Sequence, residues 1–426
     1  MVNDVIPALI IFVITYILMI ALPKWRVWVA LASALIFVIS GLLPISKVFP
    51  SIDFNVIMMI AGTMGIVALT IESKMPSLLA DVILSKVKSV KWVIFVLAVF
   101  AGVVSAFIDN VATVLMVAPI ALSIAKKLNI NPVGMIIAIA VSSNLQGAAT
   151  LVGDTTSIML GGYADMNFVE FFIFQGRPSM FFATELGALC AALLLLIIFR
   201  KENEPVSQEE RTKVEDWVPT IILGLTVLSL IIASFIPNTP SLINGIICMS
   251  FLVIGLIYKA IRNKSIKSLG PTLKEIDYQT ILLLMGIFVI VGGISEQGII
   301  DKIAEIFTKI SGGNVFLIYT IVVWFSVLIS AFIDNIPYVA TMLPVMQGIG
   351  TSLGISPIVL YFGLLCGATL GGNLTPVGAS ANITAIGMLR KEGYEVKNKD
   401  FLKIGMPFTL AAIIPAYIFI WLCYGL

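Results

Sequence analysis

Apolar stretches long enough to cross the hydrocarbon of a bilayer recur along the whole chain, and they constrain its fold more than any other feature. They run over 5–22, 27–45, 54–71, 91–125, 133–161 and 180–199, and again over 218–236, 242–261, 278–294, 315–350, 357–389 and 405–422. About 20 apolar residues suffice for one helical crossing. Residues of the AVILMFWYC set make up 59% of the chain and DEKR residues 12%, against roughly 45–50% and about 25% in soluble domains. No soluble core built from 426 residues could hide that much apolar surface. The sequence predicts an all-α polytopic membrane protein.

The same composition removes several function classes. There is no histidine, the commonest metal ligand and general base. Cys190, Cys248, Cys366 and Cys423 stand singly in apolar segments without CxxC spacing, so they read as small hydrophobes. The net charge of +2 is dispersed among loops and offers nothing to nucleic acid. The N-terminus opens Met-Val-Asn-Asp, without a basic region or small-residue cleavage site, and reads as a first span rather than a cleavable signal.

The chain repeats itself. Ser105-Ala-Phe-Ile-Asp-Asn110 recurs letter for letter as Ser330-Ala-Phe-Ile-Asp-Asn335, an offset of 225. Continued without a gap, that offset pairs Pro119 with Pro344, Pro132 with Pro357, Gly147 with Gly372, Thr150 with Thr375, and Val152-Gly153 with Val377-Gly378. Of the 54 positions from Ser105 to Ile158, 18 are identical. Hydrophobic bias produces chance matches among Leu, Ile and Val, but not an aligned Asp-Asn with two prolines and two glycines, so an internal duplication is implied. The charged run 200–216 divides the halves. We expect a first repeat over 1–199, a cytoplasmic linker over 200–217 and a second repeat over 218–426.

In each half one apolar segment, 91–125 or 315–350, is too long for one ordinary span and carries Asp-Asn near its middle. A charged break at that depth suits a re-entrant hairpin. Five crossings per half remain, and an odd number inverts the second repeat relative to the first. Loop charge tests this arrangement. With both termini outside the cytoplasm, the outer loops hold only Lys47, Arg177, Lys302 and Lys309, and the other face receives the remaining 22 of 26 Lys and Arg. That split obeys the positive-inside rule. The expected architecture is therefore two inverted repeats of five transmembrane helices plus one re-entrant hairpin each, in the inner (cytoplasmic) membrane.

Two blocks per half are polar at depth. One is the hairpin tip, Asp109-Asn110 with Thr113, and its mate Asp334-Asn335. The other is a Gly/Thr-rich break in 133–161, containing Asn144, Thr150, Asp154 and Thr155, mirrored in 357–389 by Asn373, Thr375, Ser380 and Asn382. Unwound backbone at such breaks exposes carbonyls, and half-helix N-termini expose amides; together they can hold ions. Asp109, Asp334 and Asp154, with Glu185, lie in spans whose one Lys or Arg is Lys91, at the very start of 91–125. An ionised carboxylate in hydrocarbon costs at least about 2.5–3.5 kcal/mol, so these acids point to a partner that comes and goes, a proton or a metal cation. Plainer roles compete. Asp-Asn caps helices well, Gly/Thr segments pack helices closely, and Glu185 reads more readily as an interfacial carboxylate.

At these residues the sequence resembles the ion transporter superfamily. Ser-Ala-Phe-Ile-Asp-Asn-Ile-Pro-Tyr-Val-Ala-Thr-Met-Leu-Pro (330–344) and Gly-Asn-Leu-Thr-Pro-Val-Gly-Ala-Ser-Ala-Asn (372–382) carry the likeness. It is strongest to the arsenite-efflux permeases, the melanosomal P protein and related sodium/proton antiporters. The resemblance implies an elevator-type transporter in which hairpins and broken helices move a site past fixed scaffold helices. It places substrate or ions at Asp109, Asn110, Thr113, Asn144, Thr150, Asp154, Thr155, Asp334, Asn335, Asn373, Thr375, Ser380 and Asn382. Within that set, sodium would sit at Asp109, Asn110 and Thr150 and at Asp334, Asn335 and Thr375. The related dicarboxylate carriers have Ser-Asn-Thr at the tips; here Asp-Asn-Val and Asp-Asn-Ile add a carboxylate that repels a dianion.

The functional expectation is secondary active transport of a small inorganic solute, coupled to a proton or sodium gradient, with no other cofactor. Arsenite or antimonite efflux leads, sodium/proton antiport follows, and sodium-coupled di- or tricarboxylate symport is third. A passive channel is the alternative from another class. An intramembrane enzyme lacks a nucleophile–base pair, and no phosphate-binding loop is present for ATP. A separate ATPase subunit stays open, and homodimerisation is expected by analogy.

Overall fold

In the computed structural model, residues 2–206 and 212–425 are described. The part of the expected linker at 207–211 lies outside the described residues. The first half contains α1 (Val2–Ala21), α2 (Arg26–Ile39), α3 (Ile45–Ser51), α4 (Phe54–Glu72), α5 (Met75–Leu84), α6 (Val90–Ser105), α7 (Asn110–Leu128), α8 (Val133–Gln146), α9 (Thr155–Tyr163) and α10 (Met180–Ile198). The second contains α11 (Val218–Ala233), α12 (Ile243–Arg262), α13 (Leu269–Lys274), α14 (Tyr278–Glu296), α15 (Ile299–Ser311), α16 (Val315–Ser330), α17 (Asn335–Leu353), α18 (Ile358–Gly371), α19 (Ser380–Lys391) and α20 (Asn398–Tyr424). The only sheet among the described residues is a two-residue hairpin pairing Ile173–Phe174 with Arg177–Pro178.

Both long apolar segments break at their Asp-Asn. Asp109 caps α7 by accepting from the amides of Val111 and Ala112 at 3.0 and 3.1 Å, and Asp334 caps α17 by accepting from Ile336 at 3.2 Å. The cap matters because the first amides of a helix have no intrahelical acceptor and no water to turn to in hydrocarbon. Helix boundaries in the halves keep the sequence offset. Adding 225 to the bounds of α6, α7 and α8 gives those of α16, α17 and α18 to the residue, and adding 224 to α4 gives α14.

Packing divides the helices into two bodies. In one, α4 lies along α12 and α14 along α2. In the other, α6 packs on α8, α16 on α18, and α10 on α20. The bodies meet where α4 touches α9 and α14 touches α17. At the α10–α20 crossing a Cβ on Gly187 would lie 2.5 Å from the carbonyl oxygen of Ala412, so only glycine admits this approach. Outward faces stay apolar, with Ile6 and Ile197 about three-fifths exposed at 62% and 61%, as lipid contact requires. Among the described residues, six helices are long and apolar enough to cross a membrane unaided: α4, α7, α10, α12, α14 and α20. The chain is a multi-pass membrane protein.

The structure adds features that hydropathy did not indicate. The short α5 and amphipathic α15 precede the hairpins. The described part of the charged linker is laced to its surroundings. Backbone amides of Val90, Lys91 and Val206 bond to Glu204, Glu202 and Lys88 at 3.1, 2.8 and 3.1 Å, and Thr212 donates to Asp81 through its amide and hydroxyl at 2.8 and 2.6 Å. Cys248 and Cys366 are buried, Cys190 and Cys423 partly so, and all four are free thiols, which agrees with small hydrophobes.

Replacing Gly187 with Val forces α10 from α20, and overpacking of this kind costs about 1–3 kcal/mol. The expected result is a thermal unfolding midpoint several degrees lower, read by fluorescence-detected size exclusion. An unchanged midpoint would show that the α10–α20 contact carries no stability.

Candidate functional site

The site grows from the two helix breaks of each half. Thr150 turns its hydroxyl back to the carbonyl of Ala106, and Thr375 does the same to Ala331, each across 44 residues. Ser157 donates to the Gly147 carbonyl at 3.1 Å, and Asn382, its counterpart at the offset of 225, donates to Gly372 at 3.0 Å. The glycines explain the tightness. A Cβ on Gly153 would lie 2.7–2.8 Å from the carbonyl oxygens of Gly147, Ala106 and Ser105, and one on Gly378 would lie 2.6–3.0 Å from those of Gly372, Ser330 and Ala331. Each hairpin tip is thereby bolted to its broken helix through backbone carbonyls.

An asparagine knot joins the two units. Asn144 donates to the carbonyl of Thr369 at 2.7 Å and to Asn373 Oδ1 at 3.1 Å, while Asn373 donates to Val141 at 2.9 Å. Asn110 donates to Asn144 Oδ1 at 3.0 Å. The Asn335 amide lies 3.4 Å from Asp154 Oδ2, which also accepts the Thr156 hydroxyl at 2.7 Å. Asn144 and Asn373 are fully buried, and a buried amide left unpaired would cost about 1–3 kcal/mol.

Against this frame opens a cavity of about 470 Å³ between the two bodies. Of the residues singled out in the sequence, Asp109, Asn110, Asp154, Thr155, Asn335 and Ser380 line it. Thr113, Asn144, Thr150, Asn373, Thr375 and Asn382 stand behind, holding the tips and breaks; Thr113 is fully buried. The facing wall is apolar and belongs to α4, with Met64, Val67, Ala68 and Ile71. No Lys or Arg lines the cavity.

Two features differ from the sequence reading. The expectation that the buried acids face no fixed base fails at Asp334, where Arg26 Nη1 donates to Oδ2 at 2.8 Å. Arg26 opens α2 at the edge of a loop, and its chain position gives no sign that the turn before α2 lies against a hairpin tip 308 residues away. Three acids at the cavity mouth, Glu72, Glu275 and Asp277, were not anticipated. Asp277 caps α14 and its counterpart Asp53 caps α4, with amide contacts of 3.0 Å in both. The pair Ile52-Asp-Phe54 and Ile276-Asp-Tyr278 was the available signal. Glu185, on α10, is not among the residues lining this cavity.

Interrupted helices meeting back to back around a polar cavity in a multi-pass protein define a membrane transporter. Residues 14–367 match the citrate transporter family, and the chain belongs to it. An uncharacterized transporter of Mycobacterium tuberculosis is 30% identical over 431 residues, with 98% of each chain covered. The P protein of Homo sapiens is 25% identical over 464 residues, covering 89% of this chain and 55% of that one. The fold is similar to that of the YdaH transporter of Alcanivorax borkumensis, with a TM-score of 0.59, 13% identity, and 88% and 87% of the two chains covered.

Because Thr150 and Thr375 fix the tips rather than line the cavity, Thr150→Val and Thr375→Val are expected to let the tip carbonyls drift and to weaken apparent solute affinity several-fold, with maximal rate changed less. Concentration dependence of uptake measures this. An unchanged dependence in both variants would show that the threonine contacts do not shape the site.

Proposed function

We propose that this protein is a secondary active carrier of a small neutral or cationic inorganic solute, coupled to a proton or sodium gradient across the cytoplasmic membrane. The observation that carries this reading is the acid-lined cavity between the tips of both halves. Asp109 and Asp154 face it with Glu72, Glu275 and Asp277 at its mouth; Glu72 is paired with Lys259, and no Lys or Arg is among the lining residues. A site of that charge favours cations and disfavours a free tricarboxylate, whatever the family's name. Asn110, Thr155, Asn335 and Ser380 supply donors and acceptors for a neutral trihydroxy species, which keeps arsenite first. Sodium/proton antiport is the second reading, favoured by the carboxylates themselves.

Movement of the site past a scaffold is supported by a second cleft. It measures about 430 Å³, is lined by Asp53, Val56, Gly162, Phe288 and Gln347 among others, and also lies between the two bodies. The capping acids Asp53 and Asp277 stand one in each cleft, as two inverted repeats would place them. The topology of ten crossings and two hairpins also accounts for the surface ion pairs. Lys47 meets Glu296 and Lys126 meets Glu392, both at 2.5 Å, and in each pair the loop count puts both partners on one face. The acidic cavity then opens to the cytoplasm.

Transport into proteoliposomes, with sodium and proton gradients imposed separately and arsenite, sodium and citrate as solutes, tests the proposal. Uphill movement of one solute driven by one ion is expected. Asp109→Asn keeps side-chain size and the helix cap but removes charge, and is expected to lower coupled transport at least about tenfold, the scale of one lost charge-assisted contact. Only downhill flux, indifferent to both ions, would sink the carrier reading in favour of a channel.

A further inference from the structure

Asp109 and Asp334 occupy equivalent positions in the duplicated sequence and perform the same capping role, yet their surroundings differ. Beyond its helix amides, Asp109 faces the cavity. Asp334 Oδ2 receives Arg26 Nη1 at 2.8 Å and the Ser380 hydroxyl at 3.1 Å. We propose that Arg26 is a tethered counter-cation of Asp334 that holds the protein with its acidic cavity open until a coupling cation takes the carboxylate from it. The inference rests on the carrier reading above.

Three observations carry it. First, the ion pair spans the boundary between the bodies: Arg26 begins α2, while Asp334 begins α17. Tyr16 of α1 reinforces the junction, its hydroxyl donating to the Pro337 carbonyl at 2.8 Å and pairing with Thr341. Second, the contact is sheltered, the side chains of Arg26 and Asp334 being 30% and 11% exposed. A sheltered pair broken by loss of one partner strands the other charge away from water, unlike the weak exposed pairs of loops. Third, the duplication provides no second arginine. The segment 233–258, which contains the start of α12 and corresponds to the start of α2, has no Lys or Arg. When the hairpins shift to the opposite side, no equivalent base waits for Asp109.

The pair therefore belongs to one of the two states of the carrier. A ligand shifts such an equilibrium only by binding one state better. A cation that engages Asp334 does so by displacing Arg26, so binding and release of the contact become the same event. Arg26 is a positioning residue, acting through Asp334 rather than touching solute.

The test uses Ala112→Cys, which places a thiol in the acidic cavity, in a full-length protein with Cys190 and Cys423 replaced by alanine. A membrane-impermeant maleimide is applied to either face of oriented vesicles. In the parent, labelling is expected from the face that carries Glu72. Arg26→Gln is expected to lower that labelling about threefold and raise labelling from the opposite face by a similar factor, the scale of one partly exposed ion pair. Arg26→Lys keeps the parent pattern. Asp334→Asn, which breaks the pair from the other side and keeps the cap, gives the same shift as Arg26→Gln. One-sided labelling that neither charge-removing variant alters overturns the proposal alone, as does an equal shift in Arg26→Lys. Equal labelling from both faces in the parent and every variant sinks the carrier reading, and the proposal with it.

Discussion

A helix interrupted inside a bilayer strands amides and carbonyls that no water can satisfy, and this protein does so four times. The rest of the structure depends on how those groups are paired. Asp109 and Asp334 take up the exposed amides of α7 and α17. Thr150 and Thr375 take up tip carbonyls, and Ser157 and Asn382 take up the glycine carbonyls of the breaks. The threonine contacts tie each break to a tip 44 residues away, and the others close each tip or break on itself, so tips and breaks form packed units. A cavity bounded by such units can hold a charged solute without local unfolding.

Duplication makes the frame symmetric, and function enters through the departures. The halves agree in helix boundaries, capping acids and carbonyl clusters. They differ at Ser157 against Asn382, at Asp154 against Ala379, and in the single arginine beside Asp334. Asp154 places a carboxylate on the cavity wall from the first half only, with Asn335 of the second half beside it. One acid is thus compensated by a fixed base, while Asp109 and Asp154 face the cavity without one. A fully symmetric pair of tips would give neither state an electrostatic preference.

Membership in the citrate transporter family fixes the class of the protein but leaves its cargo to the chemistry of the cavity. Recognition of a free polycarboxylate is favoured by guanidinium, ammonium or neutral donor groups at the site, since carboxylates removed from water need hydrogen-bond partners. Here carboxylates stand beside the neutral donors, and no Lys or Arg lines the cavity. The scaffold sets the class, and the charge it presents bears on specificity, the ordinary relation of fold to function.

Much of this was legible in the chain itself. Apolar runs required helices in a membrane, the Asp-Asn repeat required the breaks at 109 and 334, and the gapless offset of 225 required their partners at 150 and 375. These features are local or periodic, so reading them needs no knowledge of which helices touch. Tertiary structure alone separated the polar residues into those that face the cavity, such as Asp109 and Asn335, and those that brace it, such as Thr150 and Asn373, because that depends on how two broken helices cross. It alone brought Arg26 to Asp334. A side chain at a loop charge's place in the sequence becomes a partner for a membrane acid only when the turn before α2 is folded against the tip of α17, and no sequence pattern encodes a contact between elements so far apart.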